Sequence, residues 1–265
     1  MTFSQKIQTA CQAKEELIDQ HFVRYAVKSI FAGAFLTLST GVGGIATDVI
    51  NQIHPSLGRF VFPFIFSFGL VYILFLNSEL VTSNMMYLTA GAYYRYISAK
   101  KVLKILVVCT LFNLVGAALI AALFNQSFAY TLVNSKSFLV GVVQTKLAKT
   151  SSQIFFDSII ANIFVNIAIL SYLLVKDQTA KTILVISAIF MFVFMNAEHL
   201  VANFSSFLLM GFNSVHLDGY NLANSCDIGA FPSLAIGLVA ASSSEQPMPS
   251  SIKKRTSKAT GACPA

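Results

Sequence analysis

The sequence has no tryptophan and very little charge. Asp, Glu, Lys and Arg together make up 11% of its 265 residues, where a soluble domain carries roughly a quarter. That shortage excludes a water-facing surface over most of the chain, and the mean hydropathy of +0.70 with 55% hydrophobic residues points to lipid as the solvent. Without tryptophan, any interfacial aromatic belt must rest on the nine tyrosines. Cysteine is also scarce. Cys11, Cys109, Cys226 and Cys263 are scattered, with no CxxC and no histidine at metal spacing, so a disulfide framework and a metal site are both disfavoured. Residues 1–25 are polar, which argues against a secretory leader. The formal net charge of +7 is read as basic loops on one side of a membrane, not as a nucleic-acid surface.

Long apolar runs are what the sequence does have. A helix crosses a bilayer with about 20 apolar residues, and five stretches qualify: Ala26–Thr47, Phe60–Ser78, Ile105–Phe124, Ile154–Val175 and Thr182–Ala197. Basic residues at alternate span ends set the orientation. Lys6, Lys14, Arg24 and Lys28 come first, then Arg95, Lys100, Lys101 and Lys104, then Lys176 and Lys181. These groups predict a multi-pass protein of the cell (plasma) membrane with a cytoplasmic N-terminus. Lys136, Lys146 and Lys149 in the connection 125–149 then face outward, which the positive-inside rule does not anticipate. The chain divides into a cytoplasmic segment 1–25, a transport domain 26–224 and a tail 225–265.

A short internal repeat carries the functional argument. Phe75-Leu76-Asn77-Ser78-Glu79 recurs as Phe194-Met195-Asn196-Ala197-Glu198, and an asparagine follows each glutamate by five residues, Asn84 and Asn203. Both copies interrupt an apolar run. Odd span counts between them would invert one copy relative to the other, and paired broken helices in inverted repeats place a substrate path at the break. Freed backbone and an ionisable residue at membrane depth are costly unless protein or a wet cavity serves them. The plainer alternative is two helices that end at the interface. Glu79 and Glu198 are expected to accept backbone N–H bonds at the breaks rather than to bind substrate. His199, taken alone, fits a structural core histidine as well as a pore residue; its place inside the break beside Glu198 favours the pore.

Several segments complete a recognisable pattern. They are Phe66-Ser67-Phe68-Gly69-Leu70 with Ser78-Glu79-Leu80-Val81-Thr82-Ser83, Phe112-Asn113-Leu114-Val115-Gly116-Ala117, Ile160-Ala161-Asn162, and Glu198-His199-Leu200-Val201-Ala202-Asn203. In this order the chain resembles the formate/nitrite transporter family from about Ala26 to Gly211. The resemblance implies an all-α polytopic membrane protein with an aquaporin-like inverted repeat of three plus three helices, the second and fifth interrupted. It implies a homopentamer, with a pore in each protomer, for small monovalent weak-acid anions such as formate, nitrite or hydrosulfide. By position it puts Thr82 on the loop beside the pore, His199 at its centre with Asn162 and Asn203 nearby, Phe66, Leu70, Leu80 and Phe192 at apolar constrictions, and Lys146 in the outer vestibule. A proton link through His199 follows from imidazole chemistry near neutral pH.

Other readings find less support. The cluster Gly41-Val42-Gly43-Gly44 fits close helix packing better than a phosphate loop. No HExxH and no Gly-x-Ser-x-Gly elbow occurs, so an intramembrane enzyme lacks a nucleophile or metal site, and no cofactor is expected. An aquaporin-type channel for neutral solutes lacks paired Asn-Pro-Ala boxes. The sixth helix is the departure from the family, because only a short apolar stretch and then a polar tail with Lys253, Lys254, Arg255 and Lys258 follow Asn224. Reading Ser225–Ala241 one nucleotide earlier, with suitable synonymous codons, gives Met-Arg-Tyr-Trp-Gly-Phe-Pro-Phe-Phe-Gly-Asn-Trp-Phe-Gly-Gly-Gly. That carries the family's Gly-Asn-x-x-Gly-Gly-Gly and points to a reading-frame shift near Ser225.

Overall fold

A computed structural model describes residues 2–54, 56–131 and 133–212. The tail 225–265 and the expectations of a lost sixth helix and a frame shift lie outside these residues. Every regular element among the described residues is helical. Four helices are long and apolar enough to cross a membrane: α2 (Phe22–Ile53), α3 (Gly58–Phe75), α5 (Ala99–Gln126) and α8 (Ser151–Leu174). The fifth expected span is α9 (Gln178–Phe194), shorter but equally apolar. Large apolar side chains such as Phe31, Leu103, Leu123 and Ile183 stay exposed along these helices, as lipid-facing surfaces require.

Two helices were not legible as such. The polar N-terminal segment forms α1 (Phe3–Gln20), started by a capping box in which Thr2 and Gln5 bond reciprocally. Its apolar stripe Ile7, Cys11 and Ile18 is buried. In the connection 125–149, a single turn α6 (Phe128–Thr131) precedes α7 (Phe138–Leu147).

The two interruptions generate α4 (Val81–Tyr93) and α10 (Leu200–Gly211). Both are half-length helices that turn back. The end of α3 lies at the α1 face: Tyr172 donates to the Leu74 carbonyl, and Lys6 of α1 donates to that of Leu173. The far end of α4 reaches the same face, where a Cβ on Gly91 would meet Cys11 Sγ. So the chain rises into the interior after Phe75 and descends again through α4. Its counterpart α10 does the reverse and packs on α7 at the opposite face. The three basic groups gather at the α1 face, where Lys101 and Lys104 reach Asp19 of α1 and Lys181 lies over the Tyr172 ring.

Small residues permit this packing. α2 and α5 cross with backbones in contact: a Cβ on Gly33 would fall 1.9 Å from the Asn113 carbonyl oxygen, and one on Gly116 the same distance from that of Ile30. The Gly41–Gly44 cluster serves packing as expected, Gly41 against the Phe124 ring and Gly44 against Leu139.

Candidate functional site: two half-helices meeting inside the bundle

The repeated pentapeptide encodes the same turn twice. Asn77 and Asn196 both take the left-handed conformation, φ 53° and 54°, which asparagine tolerates better than most residues. Ser78 N–H donates to Ile73 O and Asn77 N–H to Leu74 O; Ala197 N–H donates to Phe192 O and Asn196 N–H to Val193 O. Each set is a Schellman motif that closes one helix and reverses the chain.

Three residues later the half-helices begin, and their first turns meet. Thr82 Oγ1 lies 3.0 Å from His199 Nε2, both within 3% exposure. His199 is also the N-cap of α10, its Nδ1 accepting the Ala202 amide at 3.3 Å. That bond uses the Nδ1 lone pair, so the proton of the neutral ring sits on Nε2 and is donated to Thr82. The Thr82 hydroxyl hydrogen is then left to point elsewhere. Both helix N-termini direct their positive dipole ends toward this spot. Thr82 stands in the first turn of α4, not on the loop, because the loop closes by Leu80.

The break before α4 is held from behind. Asn113 accepts Val81 N–H through Oδ1 at 3.0 Å and donates through Nδ2 to the carbonyls of Glu79 (2.9 Å) and Ser29 (2.7 Å). Cys109 Sγ adds a donor to Glu79 O. These bonds replace those the helix gave up.

A cavity opens at each end of this centre. The one at the α7 face, about 530 Å³, is lined by Arg59, Phe66, Lys136, Lys146 and Phe192 among others. Phe66 and Phe192 meet edge to face at 6.2 Å, and Phe192 lies 5.7 Å from the His199 ring, so the two phenylalanines stand together between this cavity and the histidine. The smaller cavity at the α1 face, about 240 Å³, is lined by Lys14, Lys28, Glu79, Ser83 and Tyr172. Leu70 and Leu80 are buried, at 2% and 1% exposure.

The two glutamates do not take backbone amides as expected; their carboxylates take lysines. Lys14 of α1 bonds Glu79 at 2.6 Å, Lys146 bonds Glu198 at 3.0 Å, and Lys149 bonds Glu198 at 2.8 Å while also reaching Asp157. A carboxylate at this depth is stabilised best by an opposite charge, which the expectation overlooked. Lys146 is in the last turn of α7, 9% exposed. Asn203 donates to Glu198 as well. Asn162 donates to Ser158 O on its own helix. Lys14 and Lys149 were missed; the basic positions were visible, but nothing in the sequence tied them to a glutamate 65 or 49 residues away.

Known proteins match this chain in sequence and fold. The formate/nitrite transporter family profile matches residues 4–235. The nitrite transporter NirC of Salmonella typhimurium is 30% identical over 199 residues, covering 74% of this chain and 71% of its own. The uncharacterized transporter YwcJ of Bacillus subtilis is 24% identical, covering 77% and 80%. Among solved structures, an FNT family ion channel superposes with a TM-score of 0.74 at 26% identity, covering 91% of this chain and 93% of that one. A pentameric formate channel with formate bound shares the fold at 18% identity and a TM-score of 0.58. Repeat, reversed half-helices and sequence match agree: this chain is a multi-pass membrane protein of the formate/nitrite transporter family.

Proposed function

We propose that the protein conducts small monovalent weak-acid anions, formate or nitrite foremost, across the plasma membrane, with the α1 face cytoplasmic and the protomers assembled as a pentamer. The contact between Thr82 and His199 carries this reading, because it puts two hydrogen-bond donors where two helix N-termini converge between two cavities. Both cavities favour anions. Arg59 and Lys136 line one and Lys28 the other, and among the described residues none of the three has an ion-pair partner.

Between the cavities the path is apolar, and a bare anion pays heavily there. The conjugate acid pays far less. The bond from Ala202 occupies Nδ1, so the ring is cast as a hydrogen-bond donor and neutralisation falls to the weak acid, which takes its proton in the cavity. The Thr82 hydroxyl, oriented by the Nε2–H bond it accepts, donates its own hydrogen to the acid in place of lost water. Proton-linked flux follows from the acid itself, and His199 acts as donor, orienting group and cap.

The test is uptake of formate, nitrite, hydrosulfide, lactate and chloride by proteoliposomes at about pH 5 and about pH 7. Selective weak-acid flux that rises on acidification supports the proposal. Flux independent of pH and retained in His199→Phe sinks the mechanism; no flux from inserted protein sinks the function. Resequencing codons 225–241 tests the frame shift, which would restore the helix pairing with α5, and the repaired chain belongs beside the present one in the same assay.

A further inference from the structure

Of the side-chain atoms buried without a hydrogen-bond partner in the half of the bundle facing α1, which include Asn84 Oδ1 and Thr89 Oγ1, two bear on the substrate path. One is Ser83 Oγ on α4, at 6% exposure; the other is Asn166 Nδ2 on α8, at 5%. A buried amide with nothing to bond is costly in a membrane helix, where leucine would fill the same space without penalty. Neither group belongs to the bonds that hold the breaks.

Their placement gives a reason to keep them. Asn166 follows Asn162 by one helical turn and precedes Leu173 by two, which sets the three on one face of α8. Leu173 and Ser83 both line the cavity at the α1 face, and α8 packs against α4. The helical rise puts Asn166 about 10 Å deeper than Leu173, between that cavity and the level of Asn162.

We infer that Ser83 and Asn166 form a second substrate station on the α1 side of the Thr82–His199 centre. It takes an oxygen-bearing planar acid or anion of the carboxylate or nitrite kind. Asn166 Nδ2 and the Ser83 hydroxyl donate to its oxygens, as water did before entry. Hydrosulfide gains little from it, since sulfur is a weak acceptor. The station rests on the transport reading above and adds a basis for selecting among its substrates.

The experiment compares wild type, Asn166→Leu and Ser83→Ala as full chains. It reads formate, nitrite and hydrosulfide flux in liposomes, and in detergent the melting temperature with and without formate, which needs no transport. Asn166→Leu is expected to lower formate and nitrite flux about tenfold and leave hydrosulfide flux intact. It should abolish the formate-induced rise in melting temperature without lowering the ligand-free value, because it removes an unpaired polar group. Ser83→Ala should act in the same direction. Unchanged formate flux and unchanged shift overturn the station, and so does an equal loss for all three anions with a lower ligand-free melting temperature. A wild type that carries no anion, yet shows a formate shift that Asn166→Leu removes, keeps the station and ends the transport reading. A wild type with neither flux nor shift ends both.

Discussion

Asn77 and Asn196 hold the same left-handed backbone, φ 53° and 54°, at equivalent places in the two copies of one pentapeptide. Glycine at either position keeps the turn, since it meets no Cβ penalty there. Alanine meets that penalty, and each Asn→Ala should lower stability by about 1 kcal/mol, with Asn→Gly near wild type. Chemical denaturation of the purified protein in micelles reads the difference, and equal effects of Ala and Gly would remove the conformational explanation.

Glu198 is bonded by two lysines and Asn203, Glu79 by one lysine. Removing the charge at Glu198 strands the nearly buried Lys146 and leaves Lys149 with Asp157 alone. Glu198→Gln should therefore cost about 3–5 kcal/mol and Glu79→Gln less. Adding Lys146→Met to Glu198→Gln should recover part of the loss, because the uncompensated buried charge goes with it. A double mutant no more stable than the single would show that the pair is not the source.

Thr82 receives the His199 Nε2 proton and keeps its own hydrogen for substrate. Thr82→Ser retains the hydroxyl and should retain most of the flux. Thr82→Val loses it at nearly constant volume and leaves Nε2–H unpaired, a penalty of about 1–3 kcal/mol. Formate flux should fall about tenfold or more in Thr82→Val, and similar flux in both variants would show that the hydroxyl takes no part.

Docking of α1 has a pH dependence of known sign. The hydrogen bond from the Lys101 ammonium, chiefly, holds the Asp19 carboxyl below its ordinary value of 3.8. A lowered folded pKa means that the contact contributes fully above the unfolded value and fades only as pH falls through the folded one. A nitroxide on exposed Gln12 should keep its mobility from neutral pH down to about 4 and loosen slightly below it, a step that Asp19→Asn should remove. The Cys11 thiol reports on the same helix: burial pushes its pKa up to about 11, so maleimide should modify it slowly until α1 lifts away. A flux increase on mild acidification without a change in either probe would separate permeation chemistry from movement of α1.

Sequence reading recovered the parts of this protein that periodicity and repetition encode. The five apolar runs became α2, α3, α5, α8 and α9, and the repeated pentapeptide became the two turns. Helix α1 escaped because its apolar positions are few among polar ones, and α7 because ten residues are too short to stand out. The lysine partners of Glu79 and Glu198 escaped for another reason. An ion pair between residues 65 or 52 positions apart depends on how the helices stack, and no local pattern records that. Asn113 was noticed as part of a motif, but its service to the break before α4 became visible only with the crossing of α2 and α5.

Leu80 and His199 follow Glu79 and Glu198 directly, so they are the same position of the two copies. The backbone is duplicated around the centre, but one copy supplies a hydrocarbon cap and the other a ring with a proton to donate. On the proposed path, a permeant molecule from the α7 face meets the ring after two phenylalanines, and one from the α1 face meets leucine. The two energy profiles are therefore not mirror images. Equal and opposite weak-acid gradients should drive fluxes of different size, and a leucine–histidine exchange between the copies should turn that asymmetry around.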